Sequence, residues 1–137
     1  MKVQEIMTAK VESIKSTATL RQAARTMKDL NIGSLLIIED DQLLGIITDR
    51  DISCFAIAMG HDLNSTPVSK VMTREVTTCF DDADISEAAR LMEDQKVRRL
   101  AVLRHDNSMA GFLSVDDLAR YSHELAGEVL KAAGSAH

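Results

Sequence analysis

The chain contains itself twice, and that repetition restricts its fold more than any local pattern does. Displaced by 65 positions, Val3, Met7, Thr8 and Val11 fall on Val68, Met72, Thr73 and Val76. The register continues with Ala23-Ala24-Arg25, Met27 and Asp29 on Ala88-Ala89-Arg90, Met92 and Asp94, and with Leu35 on Leu100. One extra residue in the second copy then moves the shift to 66 and superposes Gly45, Thr48 and Asp51 on Gly111, Ser114 and Asp117. That insertion belongs in the turn around Asp106-Asn107-Ser108. Residues 60–67, Gly60 to Pro67, hold several turn formers and the only proline, so they read as a connector between a first repeat, 1–59, and a second, 68–137.

Each copy predicts the same order of elements. A Met-Thr segment leads into an extended stretch, Val11–Ile14 or Val76–Cys79. A helix follows, opened by matching capping boxes, Thr19-x-x-Gln22 and Asp84-x-x-Glu87. Its core face is Leu20, Ala23, Ala24, Met27 and Leu30 in one copy and Ile85, Ala88, Ala89 and Met92 in the other. Two apolar runs joined by a polar turn, Ser34–Ile38 and Leu43–Thr48, repeat as Leu100–Leu103 and Met109–Ser114 and read as strand, turn, strand. A second helix places Ile52, Phe55, Ala56 and Met59 on one face, matched by Leu118, Tyr121, Leu125 and Val129. The expected fold class is α/β in the broad sense (α+β), two β-α-β-β-α repeats. A sixty-residue unit buries little surface alone, so the repeats are expected to pack with pseudo-two-fold symmetry and to form two related clefts between them.

At 137 residues and 45% hydrophobic content the chain supports one compact folded unit. A net charge of −5 disfavours nucleic acid, whose binding depends on concentrated Lys and Arg. No apolar run is long enough to span a bilayer, and no signal-peptide pattern opens the chain, so no membrane partner is expected and a cytoplasmic location is. Cys54 and Cys79 lack redox or zinc-site spacing and read as reduced, buried small hydrophobes. His61, His105, His123 and His137 are dispersed without a paired carboxylate, which leaves no metal or catalytic site predicted. Walker, dinucleotide and nucleophile-elbow signatures are absent, so an enzyme is not expected.

The chemistry concentrates where the last strand of each copy enters its second helix. Gly45-Ile46-Ile47-Thr48-Asp49-Arg50-Asp51 and Gly111-Phe112-Leu113-Ser114-Val115-Asp116-Asp117 share the form Gly-apolar-apolar-hydroxyl-x-x-Asp. Residues three apart at a helix start face one side. Thr48 with Asp51, and Ser114 with Asp117, can therefore address one ligand, and a carboxylate beside a hydroxyl suits the diol of a ribose. The same spacing also serves as an ordinary helix cap.

Ile6-Met7-Thr8, Val71-Met72-Thr73, Gly45–Asp51, Val97-Arg98-Arg99-Leu100 and Gly111–Asp117 together resemble the CBS (cystathionine-β-synthase) domain family, over nearly the whole chain. The resemblance implies a tandem pair, or Bateman module, in which Asp51 and Asp117 hold ribose while Thr48 and Ser114 touch ribose or the adjoining phosphate. It further implies that Arg99 reaches phosphate, with Arg50 and Arg98 as further candidates, and that Val11, Ile14, Val76, Cys79, Ile46 and Phe112 flank adenine. The implied activity is that of a sensor or regulator of an adenosine-containing ligand: AMP, ADP, ATP, S-adenosylmethionine or NAD. The implied partners are a second copy, giving a homodimer, and a separately encoded effector protein. The competing expectation is a constitutive dimerisation or scaffold module with no nucleotide sensing.

Overall fold

The computed structural model describes residues 1–134, and the chain divides into two compact units, Glu12–Val76 and Met1–Val11 with the residues from Thr77 on. The units do not follow the sequence repeats. Each consists of the body of one repeat joined by the opening segment of the other.

In the unit Glu12–Val76, β1 (Ser13–Ile14) runs parallel to β2 (Ser34–Glu39), and β2 pairs antiparallel with β3 (Gln42–Thr48), giving the order β1-β2-β3. Helix α1 (Leu20–Leu30) connects β1 to β2. Its capping box forms in full: the Thr19 hydroxyl accepts the Gln22 N–H at 3.1 Å, and Gln22 accepts the Thr19 N–H at 2.9 Å. Leu20, Ala23 and Met27 face the core, whereas Leu30, expected there, is 45% exposed because the helix closes on Asn31 in the left-handed conformation. Leu35, Ile37 and Ile47 complete the buried core.

The segment after β3 corrects the expected helix face. Asp51–Ala56 forms a π-helix in which Ile57 N–H reaches the Ile52 carbonyl. The wider turn rotates less per residue than an α-helix, so residues four apart align while those three apart diverge: Ile52 and Ala56 are buried while Phe55 and Met59 are 54% and 75% exposed.

The other unit repeats the plan: β4 (Thr78–Phe80), α2 (Ile85–Gln95), β5 (Arg99–Leu103) and β6 (Met109–Ser114), with sheet order β4-β5-β6. The Asp84 cap differs from the expected box. Its carboxylate accepts the Ser86 N–H at 3.0 Å, the Ser86 hydroxyl and the N-terminal ammonium at 3.3 Å, and this pulls its pKa down to about 2, the Ser86 hydroxyl contributing most. The reciprocal box with Glu87 does not form: the Glu87 N–H goes to the Asp84 main-chain carbonyl at 3.0 Å, and Ser86 takes the carboxylate oxygen. Ile85, Ala88, Ala89 and Met92 are buried as their spacing predicts. The expected single last helix is two, α3 (Val115–Ala119) and α4 (His123–Ala133), because Ser122 restarts the helix by accepting the Leu125 N–H at 3.2 Å. Tyr121 lies in the break and is 54% exposed, a second correction to the apolar face. Leu118 and Val129 are fully buried, and α4 packs along α2 and α3.

The repeated Met-Thr motif docks on the last strand of its unit. In one unit Ile46 and Thr73 exchange both backbone hydrogen bonds at 2.9 Å, and Val68 N–H donates to the Ala18 carbonyl. In the other, Thr8 and Phe112 exchange theirs at 2.8 and 2.9 Å, and Val3 N–H donates to the Ala83 carbonyl. The glycine of the motif makes this approach possible. A β-carbon on Gly111 would stand 2.6 Å from the Thr8 carbonyl oxygen and 2.8 Å from the Met7 Sδ; on Gly45 it would stand 2.7 Å from the Thr73 oxygen and 2.9 Å from the Met72 Sδ. Among the described residues no helix is long and apolar enough to cross a membrane.

Candidate functional site

Strand ends β3 and β6 deliver the two motif residues to the same local geometry. Thr48 N–H donates to the Asp51 Oδ2 at 2.9 Å, and the Thr48 hydroxyl accepts the Asp51 N–H at 3.1 Å. Ser114 N–H donates to the Asp117 Oδ2 at 2.9 Å, and the Ser114 hydroxyl accepts the Asp117 N–H at 3.2 Å. Each pair is thus a reciprocal cap that fixes one carboxylate oxygen against its strand. A carboxylate has about four lone-pair sites, so a cap of this kind leaves acceptor capacity on the same group.

The two carboxylates differ in access. Asp51 is half-buried, whereas Asp117 is 4% exposed and its Oδ1 also receives Arg120 Nη1 at 3.3 Å and the Thr8 hydroxyl at 3.5 Å. The opening segment therefore reaches the motif aspartate directly in the second unit. A ligand at Asp117 has two existing partners to displace or share.

Arg99 is exposed at the start of β5 and lies directly opposite Ser114 in the antiparallel register, as Ser34 lies opposite Thr48 in the other unit. Directly opposed residues project to the same face of a sheet, so the guanidinium and the capping hydroxyl share one side. The Arg98 carbonyl accepts the Val115 N–H at 2.9 Å, matching Asp49 N–H to the Gly33 carbonyl at 3.0 Å. Arg50 heads the π-helix, exposed. The structure thus brings Arg99 and Arg98 to one unit and Arg50 to the other.

The six nominated wall residues also divide between units: Ile14, Ile46 and Val76 in one, Val11, Cys79 and Phe112 in the other. All six are half-buried: Ile14, Ile46, Cys79 and Phe112 on strands, Val11 and Val76 in the segments just before β1 and β4. Burial pushes the Cys79 thiol up to about 11, with the Asp81 charge adding to it, so it stays protonated and acts as a hydrophobe. Cys54, expected to be buried, is exposed on the π-helix instead.

Two groups escaped the sequence reading. His105 is not without a carboxylate: its Nε2 lies 2.8 Å from the Asp82 Oδ2, its ring stacks on Phe80 at 4.3 Å, and its hydrogen bond holds the Asp82 carboxyl below the usual range. The pair joins two turns distant in sequence, which spacing cannot reveal. Arg120, beside Asp117, sits three residues along the helix and was legible as an i, i+3 partner. His137 lies outside the described residues.

The CBS domain family model matches this chain twice, over residues 3–55 and 68–124. The chain belongs to the CBS domain family. The chain is 35% identical over 130 residues to the CBS domain-containing protein YhcV of Bacillus subtilis, covering 93% of this chain and 91% of the relative. Among solved structures, a CBS domain protein of Pyrobaculum aerophilum complexed with AMP aligns with a TM-score of 0.80 at 22% identity, covering 94% of this chain and 98% of its own. The CBS domain pair of protein MJ0100, in complex with 5′-methylthioadenosine and S-adenosyl-L-methionine, aligns with a TM-score of 0.77 at 25% identity, covering 88% and 94%. The two CBS repeats and the mixed helix and sheet architecture expected from the sequence are those of solved CBS pairs.

Proposed function

We propose that this CBS pair is a regulatory module for an adenosine-containing ligand, with a ribose held at Thr48 and Asp51 in one unit and at Ser114 and Asp117 in the other. The observation that carries the reading is the identical reciprocal cap in both units, each fixing a carboxylate at the end of a strand whose preceding residues include the half-buried Ile46 or Phe112. An ionised carboxylate accepts from vicinal hydroxyls, and half-buried apolar side chains such as Ile46 and Phe112 cover a flat base. The AMP, methylthioadenosine and S-adenosylmethionine complexes of the structural neighbours support the ligand class. Asp51, more accessible than the 4%-exposed Asp117, takes ligand first. Ligand binding that favours one conformation over another passes the signal to a separate effector. A homodimer fits the exposed apolar residues Phe55, Ile57 and Met59.

A thermal-shift panel of AMP, ADP, ATP, S-adenosylmethionine and NAD tests the reading. One of the five is expected to stabilise the protein by about 2.7 kcal/mol at a hundredfold excess over its dissociation constant. No shift with any of them would favour the scaffold alternative. Arg99→Ala is expected to weaken the phosphorylated ligand several-fold while leaving adenosine unchanged, read by titration calorimetry; equal loss for both assigns Arg99 to the fold.

A further inference from the structure

The β4–α2 turn and the β5–β6 turn meet at one end of the sheet β4-β5-β6. Phe80 pairs there with Leu103 and Leu103 with Met109, whereas Arg99 pairs with Ser114 at the opposite end, so this junction is separate from the candidate ribose site. The first unit shows the same junction closed by structural hydrogen bonds. Ser16 donates to the Glu39 carboxylate from its N–H at 2.9 Å and from its hydroxyl, so donor meets acceptor. At a shift of 65 those residues become Asp81 and Arg104. An acceptor has replaced the donor, and the Arg104 Nη1 turns into its own hairpin, to the Ser108 hydroxyl at 3.2 Å and the Met109 carbonyl at 2.6 Å.

What gathers around Asp81 instead is Asp82 and His105. One carboxylate oxygen from each aspartate and one ring nitrogen lie within 4.8 Å of one another, and the Asp82 Oδ2 is 2.8 Å from the His105 Nε2. Ligands about 2.1 Å from one metal stand about 3–4 Å apart, so rotation of these side chains closes the set. The imidazole is oriented from outside the cluster, by Phe80 stacked on it at 4.3 Å. Asp81 is anchored through its main chain: its N–H donates to the Leu103 carbonyl at 3.0 Å, and its carbonyl accepts the Gln4 N–H at 2.9 Å. A ring nitrogen beside two carboxylates suits a borderline transition cation better than magnesium or calcium, which favour oxygen alone. We propose that Asp81, Asp82 and His105 form a binding site for a zinc-class divalent cation, which ties the β4–α2 turn to the β5–β6 turn. The Asp82 oxygen and Nε2 then change from hydrogen-bond partners to ligands, and the imidazole keeps its proton on Nδ1. Three protein ligands leave a position for water. The proposal stands independently of nucleotide binding.

The test uses the full chain, stripped with a chelator and dialysed, with zinc chloride as the probe and the nitrogen resonances of the histidine rings as the readout. His105 is expected to shift saturably. Affinity falls at least about tenfold in Asp81→Asn and in Asp82→Asn, because losing even an outer partner of a metal ligand costs about that much. Asp81 is half-buried and Asp82 exposed, so both substitutions leave the core untouched. No saturable His105 shift up to millimolar zinc overturns the proposal, as do shifts confined to His61 or His123. Unchanged affinity in either variant also overturns it, and so does an equal response to magnesium chloride, which would reduce the cluster to diffuse attraction by carboxylates.

Discussion

Gly111→Val is expected to destabilise its unit by about 3 kcal/mol, a large share of what a unit of this size holds, and Gly45→Val to do the same in the other. A β-carbon at 2.6 Å from the Thr8 carbonyl oxygen meets backbone that is itself held by two hydrogen bonds to Phe112, so the opening segment must detach for the side chain to fit. Detachment removes Val3, which is fully buried, and Ile6 from the core. Gly111→Ala acts in the same direction more weakly. Gly127→Ala is the control of opposite sign: it lies inside α4 with open space where the methyl goes, so it gains up to about 1 kcal/mol of helix propensity. Urea denaturation of the four variants reads the contrast. Equal midpoints for Gly111→Val and the parent protein would contradict the close approach of segment and strand.

The second large effect is on binding. Asp51→Asn and Asp117→Asn keep an oxygen to receive the Thr48 or Ser114 N–H, so each cap survives and stability changes by no more than about 1 kcal/mol. What is lost is the charge that strengthens hydrogen bonds from a diol. Charge-assisted bonds contribute about 1.5–3 kcal/mol each, so affinity at the altered site falls roughly ten- to a hundredfold. Asp51→Asn removes the first ligand to bind and Asp117→Asn the second, as seen in the stoichiometry of a calorimetric titration. Retained affinity in both variants assigns the aspartates to capping alone. The Asn substitutions separate the two roles, whereas Asp→Ala removes cap and ligand group together and confounds them.

Much of this architecture was readable in the residues, for a physical reason. Amphipathic helices α1 and α2 advertise themselves through Ala and Met at helical spacing, and the strand pairs through apolar runs around polar turns. Asp106-Asn107-Ser108 is the tight turn expected there, with Asn107 at φ 69° and Asp106 accepting the Ser108 N–H at 2.9 Å. What stayed hidden depends on partners remote in sequence. The exchange of opening segments pairs Thr8 with Phe112, and no local pattern records it. Its trace is indirect: a glycine conserved between the copies in a strand that otherwise favours branched residues. The π-helix at Asp51–Ala56 escaped because apolar spacing was read at 3.6 residues per turn, which placed Phe55 and Met59 inside. The break before α4 had a visible signal in Ser122, a capping residue in mid-helix. At the candidate site, the residue pairs came from the sequence, but the unequal access of Asp51 and Asp117 came only from Thr8 and Arg120 converging on one of them.

Whether the twin carboxylates hold a ribose is tested most directly by titrating the ligand that succeeds in the panel against its 2′,3′-dideoxy counterpart. The account predicts saturable binding of the first and loss of at least about tenfold in affinity for the second, with the difference erased in the Asp51→Asn, Asp117→Asn double variant. Equal affinity for the two compounds in the parent protein would contradict it.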